Sequence, residues 1–255
     1  MINNEVVWIT GASSGIGLSL AEKLSLAGNK VIISSRNREE LNRISTRYEN
    51  ITGVVCDVTN SSELQQCADK IANEFAFIDR VIINAGNCEY FDIESPDWEM
   101  ASRVMSVNFF GAINTFAKAL PLLKKSNKSS PHIVVVASLA SVVPFPRAEA
   151  YGASKAALQY FFESMRIDLA NQNIAVTVVQ PGFVKTPLTD KNDFPMPFMV
   201  SVDEASDVIL KKMEKQPRII QFPLRLAFLL RFMSYFSGLW NWLAINKLGR
   251  NQGLE

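Results

Sequence analysis

Short runs of β-branched and other apolar residues alternate along this chain with longer segments whose apolar positions recur every three or four residues. The runs are Val6–Thr10, Lys30–Ser34, Ile51–Cys56, Arg80–Asn84, His132–Ser138, Ile174–Gln180 and Ile219–Phe222. A run of four to eight such residues reads as a strand. Between the runs lie Leu18–Leu26, Glu39–Tyr48, Ser62–Phe75, Ala150–Ala170 and Asp203–Lys215, all with helical periodicity. Strands apolar on both sides must be covered on both faces, and helical connections between them demand right-handed crossovers. The pattern therefore predicts an α/β fold: a doubly wound parallel sheet of about seven strands with helices on both faces.

The pattern changes near the end. From Phe222 to Ile245 the only charges are Arg225 and Arg231, and aromatic residues crowd in. On one helical projection Phe228, Leu229, Phe232, Phe236, Leu239, Trp240 and Leu243 share a broad face, with Ser234, Ser237, Asn241 and Arg231 opposite. The expected division is a body over 1–222 and a hydrophobic extension over 223–255, the latter an amphipathic helical tail. Arg231 and the polar face argue against a membrane-spanning helix. Three roles stay open. The tail lies in a membrane interface, favoured by its two Trp and by the flanking Arg225, Lys247 and Arg250; it packs on another subunit, giving a homo-oligomer; or it folds over its own pocket.

Composition adds exclusions. The 255 residues are 48% hydrophobic, enough to bury a sizeable core, and 26 Lys plus Arg balance 25 Asp plus Glu. No basic excess points to nucleic acid. Cys56, Cys67 and Cys88 are too few and too scattered for a disulfide framework, and no metal site is expected. No basic segment with a long apolar core precedes Val6, so a cytoplasmic protein is expected, with the tail peripheral on the inner face of a membrane if it binds one.

Chemistry concentrates in three places. Thr10-Gly11-Ala12-Ser13-Ser14-Gly15-Ile16-Gly17 follows the first strand and opens a helix. Glycines there let the backbone turn and approach a pyrophosphate, and the helix N-terminus faces the anion. The spacing is not the generic G-x-G-x-x-G, so the context carries the reading. About 20 residues on, where a carboxylate would bind the ribose 2′-hydroxyl of NAD, the chain has Ser34-Ser35-Arg36-Asn37-Arg38. A guanidinium suits a 2′-phosphate, so NADP is the expected cofactor, read by Arg36; the alternative is a solvated pair of charges opening a helix. Tyr151 and Lys155 stand four residues apart, one turn of helix, where an ammonium is expected to lower the phenol's pKa from its usual value near 10. Tyr151 would then exchange a proton with a carbonyl or alcohol oxygen, held also by Ser138 at a strand's carboxyl end.

Taken in order, Thr10–Gly17, Asp57, Asn84-Ala85-Gly86, Asn108, Ser138, Tyr151–Lys155 and Pro181-Gly182-Phe183-Val184-Lys185-Thr186-Pro187 resemble the short-chain dehydrogenase/reductase family over most of the chain. The resemblance implies a Rossmann-type sheet, a catalytic tetrad of Asn108, Ser138, Tyr151 and Lys155, and a nicotinamide cofactor. Lys155 would hold the nicotinamide ribose, and Asn108 would steady a water-linked proton path through Lys155. Asp57 and Val58 would contact the adenine. Gly11, Ser13, Ser14, Gly15, Ile16 and Gly17 would hold the phosphates. Asn84, Ala85 and Gly86 would line the cleft, and Pro181, Gly182, Val184 and Thr186 would meet the nicotinamide end. One departure is Ile83, where the family often has a further Asn. The apolar segment Phe194-Pro195-Met196-Pro197-Phe198-Met199-Val200, with Phe145, Pro146 and Phe183, suits a lid over a small lipophilic ketone, aldehyde or 3-oxoacyl substrate, or else simply packs on the body. The implied activity is an NADPH-dependent carbonyl reductase or alcohol dehydrogenase. The alternative is a catalytically idle dinucleotide sensor or membrane-associated scaffold on the same fold.

Overall fold

The computed structural model describes residues 2–191, 194 and 196–248; Pro195 and Arg250 lie outside them. Seven parallel strands, β1 (Val6–Thr10), β2 (Lys30–Ser35), β3 (Ile51–Val55), β4 (Arg80–Ile83), β5 (His132–Val136), β6 (Ala175–Pro181) and β7 (Ile219–Phe222), form one sheet in the order β3-β2-β1-β4-β5-β6-β7. The chain starts at β1, winds outward to β3, then returns to β4 and winds the other way. Loops leaving the carboxyl ends of β1 and β4 therefore diverge, which opens a crevice between them.

Alternation within each strand divides the core. Trp8, Ile32, Val81, Ile83, Ile133 and Val135 face one side, against α3 (Ser61–Phe75), α5 (Gly111–Leu123) and α6 (Glu149–Asp168). Val7, Ile9, Val31, Ile33, Ile82 and Val134 face the other, against α1 (Gly15–Leu26), α2 (Arg38–Arg47) and α7 (Val202–Met213). Both sides are buried, so the strands need no polar face.

A long connection not singled out by periodicity runs from α4 (Glu99–Met105) through a π-helical turn, Ser106–Phe110, into α5. At the amino end of β5, opposite the crevice, His132 is buried between Arg80 and Thr177. Its ring bonds both, Arg80 is held by Glu5 at 2.9 Å, and burial keeps the imidazole well below its usual pKa. It is a structural histidine, at the end of the sheet away from the crevice.

The tail departs from the single helix expected of it. It forms α8 (Leu224–Tyr235) and α9 (Ser237–Leu243), broken at Phe236, whose φ of −117° and ψ of 62° are not helical. Trp240 points inward rather than sharing a face with Phe236 and Leu239, and its indole N–H donates to Pro144 O at 2.8 Å. Leu226, Ala227, Leu230 and Met233 bury a second apolar stripe against Leu139 and Val143. Among the described residues no helix is long and apolar enough to cross a membrane.

Candidate active site

The crevice holds a cleft of about 430 Å³ at the carboxyl ends of β1, β4, β5 and β6. Its lining brings together Gly11, Ser13, Ser14, Gly15, Ile16, Arg36, Asp57, Val58, Asn84, Ala85, Gly86, Ser138, Tyr151, Lys155, Pro181, Gly182, Val184 and Thr186. Of the residues expected there, only Gly17 and Asn108 stand behind the surface.

The floor is made by close backbone contacts. Gly11 has a φ of +64°, and a Cβ there would lie 2.7 Å from Ala85 Cα. Thr10 Oγ1 accepts from Asn84 N at 3.1 Å and Ala85 N at 3.2 Å, while Asn84 Nδ2 donates to the carbonyls of Thr10 and Gly11. Gly17 supports this bracing from behind, since a Cβ on it would sit 2.5 Å from Asn84 Nδ2. Ser14 occupies the cap position of α1 without accepting from the helix's own N–H groups, and the first turn carries no acid. The helix end thus keeps donors and a positive field directed at the cleft, and the bare glycine turn leaves room for an anion to approach them. These features fit the pyrophosphate of a dinucleotide.

At the adenine end, Arg36 extends from the end of β2 with 76% of its side chain exposed, 3.9 Å from Asp57 Oδ2. Asp57 is tied to its own turn by Thr59 N and Thr59 Oγ1, and its N–H donates to Glu63.

At the reacting end, the backbone leaves β5 at Val136 and Ser138 opens a short helical turn. Ser138 Oγ accepts from Ala140 N at 3.1 Å, which leaves its proton for the Tyr151 hydroxyl it meets. Tyr151 lies in the first turn of α6 and Lys155 one turn further on. Lys155 Nζ donates to Val136 O at 2.9 Å and sits 5.9 Å from the centre of the Tyr151 ring. The expected lowering of the Tyr151 pKa does not occur. Burial pushes the phenol up to about 12, and the Ser138 hydrogen bond only partly offsets it. Burial also pushes the Lys155 ammonium down to about 8. Both groups lose water, and that loss outweighs attraction between them.

Asn108 is fully buried in the π turn. Its Oδ1 accepts from Asn87 N at 2.8 Å, and its Nδ2 donates to Asn87 O and to Ser154 Oγ, each at 2.9 Å. A Cβ on Gly86 would come 3.1 Å from Asn108 Oδ1 and 3.3 Å from Lys155 Nζ. Asn108 therefore locks the loop after β4 to α6 beside Lys155. Such a widened turn inside a helix is a recurrent feature of functional sites.

The roof combines aromatics named from the sequence, Phe145, Phe183 and Phe194, with residues that the sequence reading missed, Tyr90 and Arg147. Tyr90 meets Phe194 edge to face with centroids 5.7 Å apart, Phe194 meets Phe183 at 6.1 Å, and Arg147 lies 5.4 Å over the Tyr90 ring. Phe145 packs on Trp240 at 5.2 Å. Asn87 carried a signal, following directly on Asn84-Ala85-Gly86. Tyr90 and Arg147 carried none, because they meet only in the fold. Cys88 is half-buried, bonds Tyr90 and lies within the fields of Tyr151 and Lys155. Cys56 and Cys67 meet as free thiols in the core.

A family model described as short chain dehydrogenase matches residues 5–195. A curated relative, an uncharacterized oxidoreductase of Staphylococcus epidermidis, is 34% identical over 194 residues, 76% of this chain and 84% of that one. A short chain dehydrogenase from Burkholderia cenocepacia, solved with NADP, superposes with a TM-score of 0.84 at 26% identity, covering 96% of this chain and 98% of that one. A short chain dehydrogenase/reductase from Burkholderia phymatum, solved with NAD, also gives 0.84, at 22% identity over 94% and 97% of the two chains.

Proposed function

The chain belongs to the short-chain dehydrogenase family, a nucleotide-dependent oxidoreductase acting on a small molecule, and from that premise we propose that it is an NADPH-dependent reductase of lipophilic carbonyl compounds. The observation that carries this reading is the convergence of the Ser138 and Tyr151 hydroxyls and Lys155 on one end of a dinucleotide-shaped cleft.

Gly11, Ser13, Ser14, Gly15 and Ile16 hold the pyrophosphate of the cofactor, with Gly17 bracing the loop. Val58 packs the adenine, and Asn84, Ala85 and Gly86 border the ribose. Pro181, Gly182, Val184 and Thr186 hold the nicotinamide end. When bound, the nicotinamide supplies or takes the hydride. Ser138 and Tyr151 together hold the substrate oxygen. A phenol held near 12 keeps its proton at neutral pH, which suits Tyr151 to donate it to the oxygen of a carbonyl being reduced. Lys155 remains largely charged at pH 7 and stands one helical turn from Tyr151, where it can return that proton. Asn108 is a positioning residue, since it touches Asn87 and Ser154 rather than the cleft.

The phosphate-bearing cofactor is favoured by Arg36, whose exposed guanidinium stands where a carboxylate would be needed for NAD. Lipophilicity is favoured by the roof of Tyr90, Phe194, Phe183, Phe145 and Trp240. A homo-oligomer is favoured by exposed Phe110, Tyr160 and Ile167 beside and along α6. The test is a panel of lipophilic ketones, aldehydes and 3-oxoacyl compounds with NADPH and with NADH, followed by nicotinamide absorbance. Turnover with NADPH on apolar carbonyls is the expected result. No turnover of any of them with either cofactor overturns the reading.

A further inference from the structure

We propose that the outer face of α8 and α9 seats this protein on an anionic lipid surface. The inference goes beyond the reaction and does not depend on it. A helix with one stripe in the core ordinarily presents charge on the other side. On α8 the inner stripe is Leu226, Leu230 and Met233, yet the opposite side carries Phe228, Leu229 and Phe232, exposed by 75%, 47% and 46%. The bend at Phe236 continues that surface. The Phe232 and Phe236 rings lie 4.9 Å apart, and α9 adds Leu239 and Trp242 on the outside while Trp240 anchors it from within. An exposed apolar patch of this breadth marks an interaction surface.

Charge selects the occupant. Between Lys215 and Leu248 there is no Asp or Glu, while Arg225, Arg231 and Lys247 stand exposed. Glu163 of α6, whose carboxyl is held low partly by Arg231, is already engaged by Arg218 at 2.5 Å. A second copy docked through the same face would set these cations against their own counterparts, with no Asp or Glu between Lys215 and Leu248 to pair them. Anionic headgroups would take them, the arginine stems lying along the apolar layer with their heads outward. An α8 of 12 residues is too short to span a bilayer, so the tail lies in the interface. The same helix packs inward on Leu139, beside Ser138, so the substrate mouth would stand next to the lipid.

The test is co-sedimentation of the full chain with phosphatidylcholine vesicles, with and without phosphatidylglycerol, beside the variants Phe228→Ser/Phe232→Ser/Trp242→Ser and Arg225→Gln/Arg231→Gln. An unchanged unfolding midpoint shows that the variants fold, and size is measured without lipid. The expected result is binding to phosphatidylglycerol vesicles, weakened by added salt and lowered by roughly tenfold or more in the aromatic variant. The arginine variant loses the preference for phosphatidylglycerol, and no variant changes in size. Absence of binding by the native chain, or equal binding by the aromatic variant, overturns the proposal. A native chain that ignores vesicles and whose aromatic variant is smaller shows an interface between copies instead.

Discussion

Between Gly11 and Ala85 there is no room for a methyl group, whereas across the cleft Tyr90 and Phe194 meet edge to face with centroids 5.7 Å apart. The cofactor side is built from backbone: a turn at positive φ, two amides on Thr10 Oγ1, and an asparagine amide on two carbonyls. The side proposed to meet the substrate is built from side chains on four separate stretches, held by ring contacts and by one indole hydrogen bond. Backbone contacts fix a single shape for a ligand that does not vary. Ring contacts leave a wall that changes with a few substitutions, which is what a site for a variable substrate requires.

The largest effect that would break this contrast is expected at Gly11. Gly11→Ala puts a Cβ 2.7 Å from Ala85 Cα at a φ of +64°, and both neighbours are backbone that cannot yield cheaply. A loss of about 2–4 kcal/mol in unfolding free energy is expected, with loss of NADPH binding in titration. A protein that keeps both would show that the floor is looser than its contacts imply.

Lys155 stands between the two walls, and its burial sets a pH dependence. Its ammonium is held to about 8, below the ordinary 10.5. Below about pH 8 folded and unfolded chains both carry the proton, so the folded state bears the full cost of burying the charge. Between 8 and 10.5 the folded lysine is neutral while the unfolded one is still charged, so stability rises with pH. Lys155→Met is therefore expected to be more stable than the native protein at pH 7, by on the order of 3 kcal/mol, with the gap closing toward pH 10.5. Denaturant titrations of both proteins at several pH values check this, and a gap that does not narrow counts against a buried ammonium.

Arg36 sharpens the contrast from the cofactor side. Arg36→Asp is expected to lower the ratio of kcat/KM with NADPH to that with NADH by roughly 10- to 100-fold, the equivalent of one charge-assisted contact. An unchanged ratio means that another group reads the phosphate. The smallest effect belongs to the roof. Trp240→Phe keeps a ring beside Phe145 but removes the bond to Pro144 O, worth about 1 kcal/mol. KM for a bulky ketone should rise severalfold while NADPH affinity holds, and a change in NADPH affinity instead would mean that the two walls are coupled.

The same division decides what could be read from the chain. β1 occupies the residues its apolar run marked, because a strand buried on both faces needs uninterrupted β-branched sequence, and β7, at the sheet's edge with alternating burial, also keeps the bounds of its run. The glycines and short polar residues of the floor are local in sequence, so their cluster was visible before any fold. β5 stops at Val136 rather than Ser138 because the serine leaves the ladder to open a turn. The stretch Glu99–Leu123 was not read as helix, since the π turn at Ser106–Phe110 shifts the phase of its apolar positions. The tail was misread as one helix because both of its faces are apolar, and only packing on Leu139 and Val143 decides which is inside. The direction of the Tyr151 shift was misjudged for a related reason: the spacing to Lys155 is written in the chain, but the burial of both is not.

The claim that proton transfer at Tyr151 drives the reaction is tested most directly by turnover of Tyr151→Phe, measured beside its NADPH affinity. The substitution removes one oxygen, the one that meets Ser138, and touches none of the backbone floor. The expected result is a kcat at least about a hundredfold below native with NADPH affinity within about twofold. Survival of more than about a tenth of native kcat would contradict the assignment.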